Sequence, residues 1–523
     1  MIVAGAGLFA CYLAQARTVV VNSDPASLLL QAQDMLHGNV LLHGWVLADV
    51  TFYTTELPEY AMVSLIDGFG PNAVHIGAAL TYTLLVLLAA LLARGRGRGP
   101  DGLARALVAG GILLAPGLGR VTNQLLGAPD HLGTAVPILA VLLLIDLTPA
   151  RWWVPALAGL GLAWSQVGDP LTLYAACIPL AVAGAVRAIG RRSAYDAWLF
   201  VAAVASVGLA RVVLALVRAA GGFAGNGVPG GLLAPLSAAG HHAWVTGESV
   251  LLLFGADFWD PGPAFVKIVA IAHFTGVALA LAALAAGVAG FFRLKDRVCE
   301  VLTGGLVVLL VAGVFGTHLE DFTFAHEIAV VLPFGAVLAG RLVAPRLFAA
   351  LAAAGRPGGS APGRSAKFPA RGAAAVLGVT LAIYLAGLGY AAAQPAATPA
   401  SLPLARWLEA RGLHEGLSGY WEGSSVMLES GQLVHLAVLR PDGTGAYHWE
   451  SKTSWYDPQA HNANFVIVSS PSVPDTPDSR SYPAVPVASA RAVFGTPART
   501  YSYDGYQIWV YDKNLLDRLT PAP

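Results

Sequence analysis

The residues best suited to chemistry crowd into one stretch. Between positions 22 and 63 the chain reads NSDPASLLLQAQDMLHGNVLLHGWVLADVTFYTTELPEYAMV. It carries Asp24, Asp34, Asp49, Glu56 and Glu59 and no lysine or arginine. A carboxylate there can accept a proton or hold a cation. In a partly dry setting its pKa rises, which suits a general base. Asp24 is the candidate base. Its plainer role is structural: Ser23-Asp24-Pro25 ahead of an apolar-periodic run is a good cap-and-proline helix start. Both roles can hold at once. Glu56 can hold the loop by hydrogen bonding, or be a surface carboxylate with no role.

Three further groups invite a chemical reading. Asp130-His131 follows Pro129 and precedes an apolar run, so Asp130 can cap a helix while His131 orients substrate. THLEDFTFAHE at 317–327 clusters His318, Glu320, Asp321, His326 and Glu327. Imidazoles and carboxylates at that density can bind substrate or ligate a divalent cation, although the spacing fits no defined metal motif and a polar loop is the plainer reading. Arg120 is the cation best placed for a phosphate. Arg211, Arg218 and Lys267 are rivals, and snorkelling towards headgroups explains each as simply. GNGVPGG at 225–231 is glycine-rich, but no strand precedes it, which weakens a phosphate-cradling role.

The elements that position these residues are membrane spans. The chain has 523 residues, 56% apolar and 12% charged, with a mean hydropathy of +0.62. A soluble globular protein carries roughly 25% charged residues. The formal net charge is zero, so bulk charge points to no nucleic-acid partner. Cys11, Cys177 and Cys299 match no metal spacing and read as buried packing residues. A span needs about 20 apolar residues. About eleven segments qualify on that scale, near 1–21, 73–93, 104–119, 132–148, 152–166, 170–187, 196–218, 264–292, 299–316, 328–343 and 372–392. The first lacks a basic n-region and an obvious cleavage site, so it reads as a retained span rather than a signal peptide.

Orientation follows from Lys and Arg in the short connections. About 17 of the 22 basic residues before position 393 fall on one side of these spans, which the positive-inside rule makes cytoplasmic. The N-terminus is then inside. The loop 22–72, the loop 120–131, the loop 219–263, the loop 317–327 and everything after 393 face outside. RPGGSAPGRSAKFPAR at 356–371 reads as a solvated basic loop near anionic headgroups. Two domains are expected: 1–392 in the membrane, with the first outer loop catalytic, and 393–523 outside it. In the latter, 402–412, 420–430 and 488–495 read as helices and 433–440, 464–470, 499–503 and 506–511 as strands. Asp504-Gly505 is a hairpin signal. Helices alternating with strands predict a small α/β domain. Its tryptophans, at 407, 421, 449, 455 and 509, can pack a core or stack on sugar rings.

SDPASLLLQAQDMLHGN followed by TTELPEYAMV resembles the first outer loop of GT-C superfamily glycosyltransferases, a group that includes the protein O-mannosyltransferases and the transferase that adds aminoarabinose to lipid A. The matching elements are Asp24, the helix end at 36–39 and Glu56-Leu57-Pro58. APDHLGTAVPILAVLLLID at 128–146 is similar to the family's outer loop leading into span four and supplies Asp130. HEIAVVLPFGAVLAGR at 326–341 is similar to a late span. Two positions depart. Pro25 stands where many relatives carry a second acid, and Leu57 where the lipid A enzyme has a basic residue. A role for a paired second acid is therefore not implied.

The resemblance implies a polytopic α-helical membrane protein with a GT-C-like membrane domain and a small extracytoplasmic α/β domain, in a bacterial plasma membrane. It implies transfer of a sugar from a polyprenyl-phosphate donor to a hydroxyl on a protein, glycan or lipid, with Asp24, Asp130 and Glu56 catalytic. Arg120, His131, Glu320, Asp321 and His326 would bind substrate. No cofactor is expected to be required, and a divalent cation is compatible with the site. Two other classes stay open. A transporter would show polar or broken helices at mid-membrane and repeated halves. A non-catalytic scaffold would bind glycan through its outer domain.

Overall fold

The computed structural model describes residues 2–226, 233–259, 262–293, 295–316, 321–355, 364–469 and 485–519. The chain forms two compact units. The first comprises Met1–Val19, Ala78–Val213 and Pro229–Pro395. The second comprises Val20–Gly77, Leu214–Val228 and Ala396–Pro523, so the first-loop residues cluster with the C-terminal segment.

The first unit is helical. Each of the eleven expected spans coincides with a helix. Seven helices are long and apolar enough to cross a membrane: Pro71–Arg94, Asp130–Leu147, Leu173–Arg191, Ala194–Ala219, Ala264–Arg293, Arg297–Phe315 and Ala375–Ala392. An eighth passes if Phe322–Ile328 and Val331–Leu342 are one span, bent by 56°. Pro333 sits in the first turn after that bend, where a missing N–H and a ring in place of a hydrogen favour a kink. The others are shorter: Ile2–Ala16 and Gly99–Leu113 have 15 residues each and Trp153–Gly168 has 16. The chain is an integral, multi-pass membrane protein.

Packing in this unit depends on close approach. Helix Val331–Leu342 meets helix Gly99–Leu113 at Gly340, where a Cβ would lie 2.6 Å from the Arg105 carbonyl oxygen. Only glycine fits that contact. The next residue, Arg341, is buried and pairs with Asp296 at 3.0 Å and with Asp146. Its guanidinium also donates to the Leu92 carbonyl. A buried cation is tolerable because every contact is matched by an acceptor. The segment 356–363 of the expected basic loop lies outside the described residues, and from Arg364 the chain is helical to Ala392.

The second unit is α/β. Its main sheet has five strands in the order His435–Val438, Glu415–Ser418, Phe465–Ser469, Tyr506–Val510 and Arg499–Tyr503. The first three run parallel, with Leu417 opposite Ala437 and Val466. The last two are antiparallel and joined at Asp504-Gly505, whose φ angles of 47° and 81° make the expected tight hairpin turn. Helices Leu402–Glu409, Tyr420–Glu429 and Val487–Phe494 accompany the sheet. The first loop contributes helices Ser23–Leu36 and Glu56–Asp67. Strand Trp45–Leu47 between them pairs with Ala224–Gly225 on one side and Ser451–Lys452 on the other. One apolar core holds loop and sheet together through Leu28, Leu29, Trp45, Leu57, Tyr60, Val426, Leu436, Phe465 and Trp509.

Candidate functional site

In the second unit, Asp24 lies in the first turn of helix Ser23–Leu36. Asn22 caps that helix by accepting the Asp24 N–H at 3.1 Å. The cap therefore belongs to Asn22, and the Asp24 carboxylate is turned elsewhere. Tyr420 Oη lies 2.5 Å from Asp24 Oδ1 and 2.5 Å from Glu450 Oε2. The Tyr420 hydroxyl ionises well above its usual range, because it is buried and because two carboxylates face it. A carboxylate at a helix N-terminus is favoured by the dipole. The Asp24 carboxylate is thus partly exposed and hydrogen-bonded.

The supports of this cluster are specific. Ser23 donates to the Trp421 carbonyl at 2.7 Å, and Ser27 donates to the Glu450 carbonyl at 3.1 Å. Both serines are buried. Glu450 is buried and has a φ of 48°, a strained conformation for a non-glycine residue that its neighbours must enforce. Trp421 stands edge-on to Tyr420, and Trp449 stacks against Tyr447. Both tryptophans are partly exposed beside the carboxylates, whereas Trp455 and Trp509 are buried in the core. Trp407 lies between Tyr503 and the Arg411 guanidinium, so its faces are taken.

Glu56 is the buried first residue of helix Glu56–Asp67. Asp34, one of the five acids of the loop, has a structural role. It accepts from Asn39 Nδ2 at 2.6 Å, Trp45 Nε1 at 2.8 Å and Lys452 Nζ at 3.0 Å. Burial alone would raise its pKa, but these three donors outweigh it and the carboxyl lies below its usual range.

In the first unit a second cluster forms around His131, in the first turn of helix Asp130–Leu147. Its Nδ1 lies 2.8 Å from Asp169 Oδ2. Asp169 is fully buried and accepts from Thr134 Oγ1 at 2.5 Å and the Leu171 N–H at 2.8 Å. Since Asp169 accepts throughout, His131 carries a proton on Nδ1, and its Nε2 points the other way. There Nε2 meets Glu327 Oε2 at 3.6 Å, and the ring stacks on His326 at 5.7 Å and 7°. His326 Nδ1 donates to the Thr323 carbonyl at 3.2 Å, which leaves its Nε2 for a ligand. One ligand atom from each of His131, His326 and Glu327 lies within 4.8 Å of the others. Two imidazoles and a carboxylate at this spacing, with a carboxylate behind one imidazole, suit a divalent cation. Asp130 has a φ of 38°, and its half-buried carboxylate makes no hydrogen bond or ion pair among the described residues beyond its charge interaction with His131.

The remaining expected site residues are placed differently. Asp321 caps the turn Phe322–Ile328, accepting from the Thr323 N–H at 2.7 Å and Thr323 Oγ1 at 2.5 Å. Arg120 makes a two-point pair with Asp257, at 2.5 and 2.9 Å, with Glu248 at 3.9 Å. Its guanidinium also lies 4.1 Å from the Phe322 ring, so it braces the turn that carries His326 and Glu327. Arg211, Arg218 and Lys267 are all exposed. Glu320 lies outside the described residues, as does most of the glycine-rich segment at 225–231.

Tyr420, Glu450 and Asp169 were missed from sequence. Tyr420 and Glu450 gave no local signal, since their partner Asp24 is 396 residues from Tyr420. Asp169 did give one: an acid between two apolar segments is costly unless it has a partner.

No protein-family model and no curated protein matches the chain. Solved structures do. The structure of ArnT from Cupriavidus metallidurans bound to undecaprenyl phosphate aligns over 100% of this chain and 99% of that one, with a TM-score of 0.55 and 12% identity. The apo Archaeoglobus fulgidus oligosaccharyltransferase aligns over 89% of this chain and 69% of its own, with a TM-score of 0.49 and 13% identity. The chain has a GT-C-like membrane fold with a small C-terminal α/β sheet region.

Proposed function

We propose that the protein is a GT-C-type glycosyltransferase that moves a sugar from a polyprenyl-phosphate donor to a hydroxyl acceptor, with Asp24 as general base. The observation that carries this reading is Asp24 itself: a carboxylate at a helix N-terminus, held by a buried tyrosine and partly open. The full-length likeness to a structure bound to undecaprenyl phosphate supports the class of donor. In the reaction the acceptor oxygen attacks the anomeric carbon as its proton passes to Asp24. The bond from that carbon to the phosphate oxygen breaks, and the phosphate leaves with the electron pair. The anomeric centre inverts. Trp421 and Trp449 offer partly exposed aromatic faces for a sugar ring.

His131, His326 and Glu327 would hold a divalent cation, zinc being the natural fit for nitrogen and oxygen donors. Such a cation supplies Lewis-acid charge to a phosphoryl oxygen. Asp130 is the carboxylate left to complete that set or to meet substrate. Asp321 and Arg120 shape the turn that carries two of the ligands.

The test is direct. The protein in nanodiscs should bind undecaprenyl phosphate in preference to phosphatidylglycerol, read by native mass spectrometry. Given a panel of polyprenyl-phosphate monosaccharides, it should release polyprenyl phosphate from at least one of them. Asp24→Asn should retain the lipid but lose about a hundredfold or more in release, because the amide keeps the size and cannot take the proton. Undiminished release by Asp24→Asn would make Asp24 structural only. Absence of lipid preference in the wild type would remove the donor class.

A further inference from the structure

At the far end of helix Asp130–Leu147 from His131, the first unit holds a cavity of about 320 Å³. His131 and Asp146 are separated by roughly 22 Å of helix at about 1.5 Å per residue, so the cavity is distinct from the histidine cluster. Its volume is at the small end of the range for ligand pockets. Four cations line it, Arg96, Arg187, Lys295 and Arg297, with two carboxylates, Asp146 and Asp296. Four of the membrane-length helices begin or end at its wall: Asp130–Leu147, Leu173–Arg191, Ala194–Ala219 and Arg297–Phe315. Helix ends of this kind lie where the apolar core of a bilayer gives way to lipid headgroups.

The charges around the cavity do not cancel. Asp146 and Asp296 both pair with buried Arg341. Arg187 pairs with Asp196 and Glu300, and Arg297 with Asp196. Arg96 donates to the Asp146 and Thr148 carbonyls at 2.7 and 2.9 Å, and pairs with no carboxylate among the described residues. Lys295 is exposed and makes no ion pair among them either. Fully ionised, the whole set has five cations against four carboxylates, one positive charge in excess. Tyr195 also lines the cavity, with the Arg297 guanidinium 4.9 Å from its ring centre. The Tyr195 hydroxyl is buried and has no hydrogen-bond partner among the described residues. A buried donor left in that way costs free energy that an acceptor from a ligand would recover. We propose that this cavity binds the phosphodiester group of an anionic membrane lipid, with Arg96 and Lys295 supplying charge and Tyr195 a hydrogen bond. A phosphodiester carries a single negative charge, which the excess matches. The bound lipid ties the ends of four helices together, and no bond is made or broken. The site does not depend on Asp24 or on the transfer reaction.

The full chain, stripped of lipid in detergent, should take up phosphatidylglycerol at one saturable site, read by native mass spectrometry. Undecaprenyl phosphate is kept present to fill any donor site, so the result does not turn on the proposed activity. Phosphatidylcholine, whose own ammonium neutralises its phosphate, should bind roughly tenfold more weakly. Inorganic phosphate at the same concentration should not displace the phosphatidylglycerol. Tyr195→Phe removes one hydroxyl and should lower phosphatidylglycerol affinity about tenfold. Lys295→Gln, at an exposed position, should lower it about fivefold. Neither change touches an ion pair that holds the helices, so both variants should fold. Displacement by an equal concentration of inorganic phosphate would assign the cavity to a soluble anion and overturn the proposal. Equal affinity for phosphatidylcholine, or wild-type phosphatidylglycerol affinity in both variants, would overturn it too.

Discussion

His131 owes its orientation to Asp169, the buried carboxylate behind it. Asp169 accepts a hydrogen bond from the Nδ1–H, and so fixes the ring with Nε2 facing Glu327 and His326. Without Asp169 the imidazole would be free to flip or to carry its proton on the other nitrogen. Zinc titrated into the purified protein should bind at one tight site, measured by calorimetry in nanodiscs. His131→Ala should abolish it. Asp169→Asn should weaken it by about 10- to 100-fold, the usual cost of losing a partner behind a ligating histidine. Equal zinc affinity in wild type and His131→Ala would place the metal elsewhere. Asp24 and His131 were both legible in the sequence, because each sits at the start of a helix beside an apolar run and its type stands out there. Tyr420 and Glu450 were not, since a tyrosine and a glutamate in a polar segment carry no mark of a partner some 400 residues away.

At the scale of elements the apolar pattern was read well and the short pieces were not. All eleven apolar segments became helices, and the strands at 464–470, 499–503 and 506–511 formed within a residue or two of expectation. Strand Trp45–Leu47 was invisible. Three residues are too few for a period of two to show, and its pairing with Ala224–Gly225 and Ser451–Lys452 is wholly non-local. The contact at Gly340 was equally hidden, because a glycine inside an apolar run reads only as a weaker helix position. Gly340→Leu should force helix Val331–Leu342 away from the Arg105 carbonyl and from Ala93. The expected cost is about 1–3 kcal/mol or more, read as a lower unfolding temperature in detergent. An unchanged temperature would mean that the two helices separate without loss.

For the whole molecule, the bias of basic residues makes a strong statement about orientation. Arg94, Arg96, Arg98, Arg191, Arg192 and Arg293 lie in connections that the span order puts on one side. Single cysteines at 95, 190 and 360, in a background without native cysteines, should be shielded from a membrane-impermeant maleimide in intact cells. Cysteines at 45, 235 and 523 should react. A shielded cysteine at 523 would reverse the scheme and put Asp24 and its partners on the cytoplasmic side.

The first turn of helix Ser23–Leu36 is tied by Ser23, Asp24 and Ser27 to Trp421, Tyr420 and Glu450, across 396 to 423 positions of sequence. Asp24 therefore leaves the ribosome 396 residues ahead of Tyr420. Over that stretch of synthesis the helix can form, but its carboxylate has no tyrosine to hold it. With Asp24 as the proposed base, a chain stalled before residue 420 would carry that carboxylate without its partner.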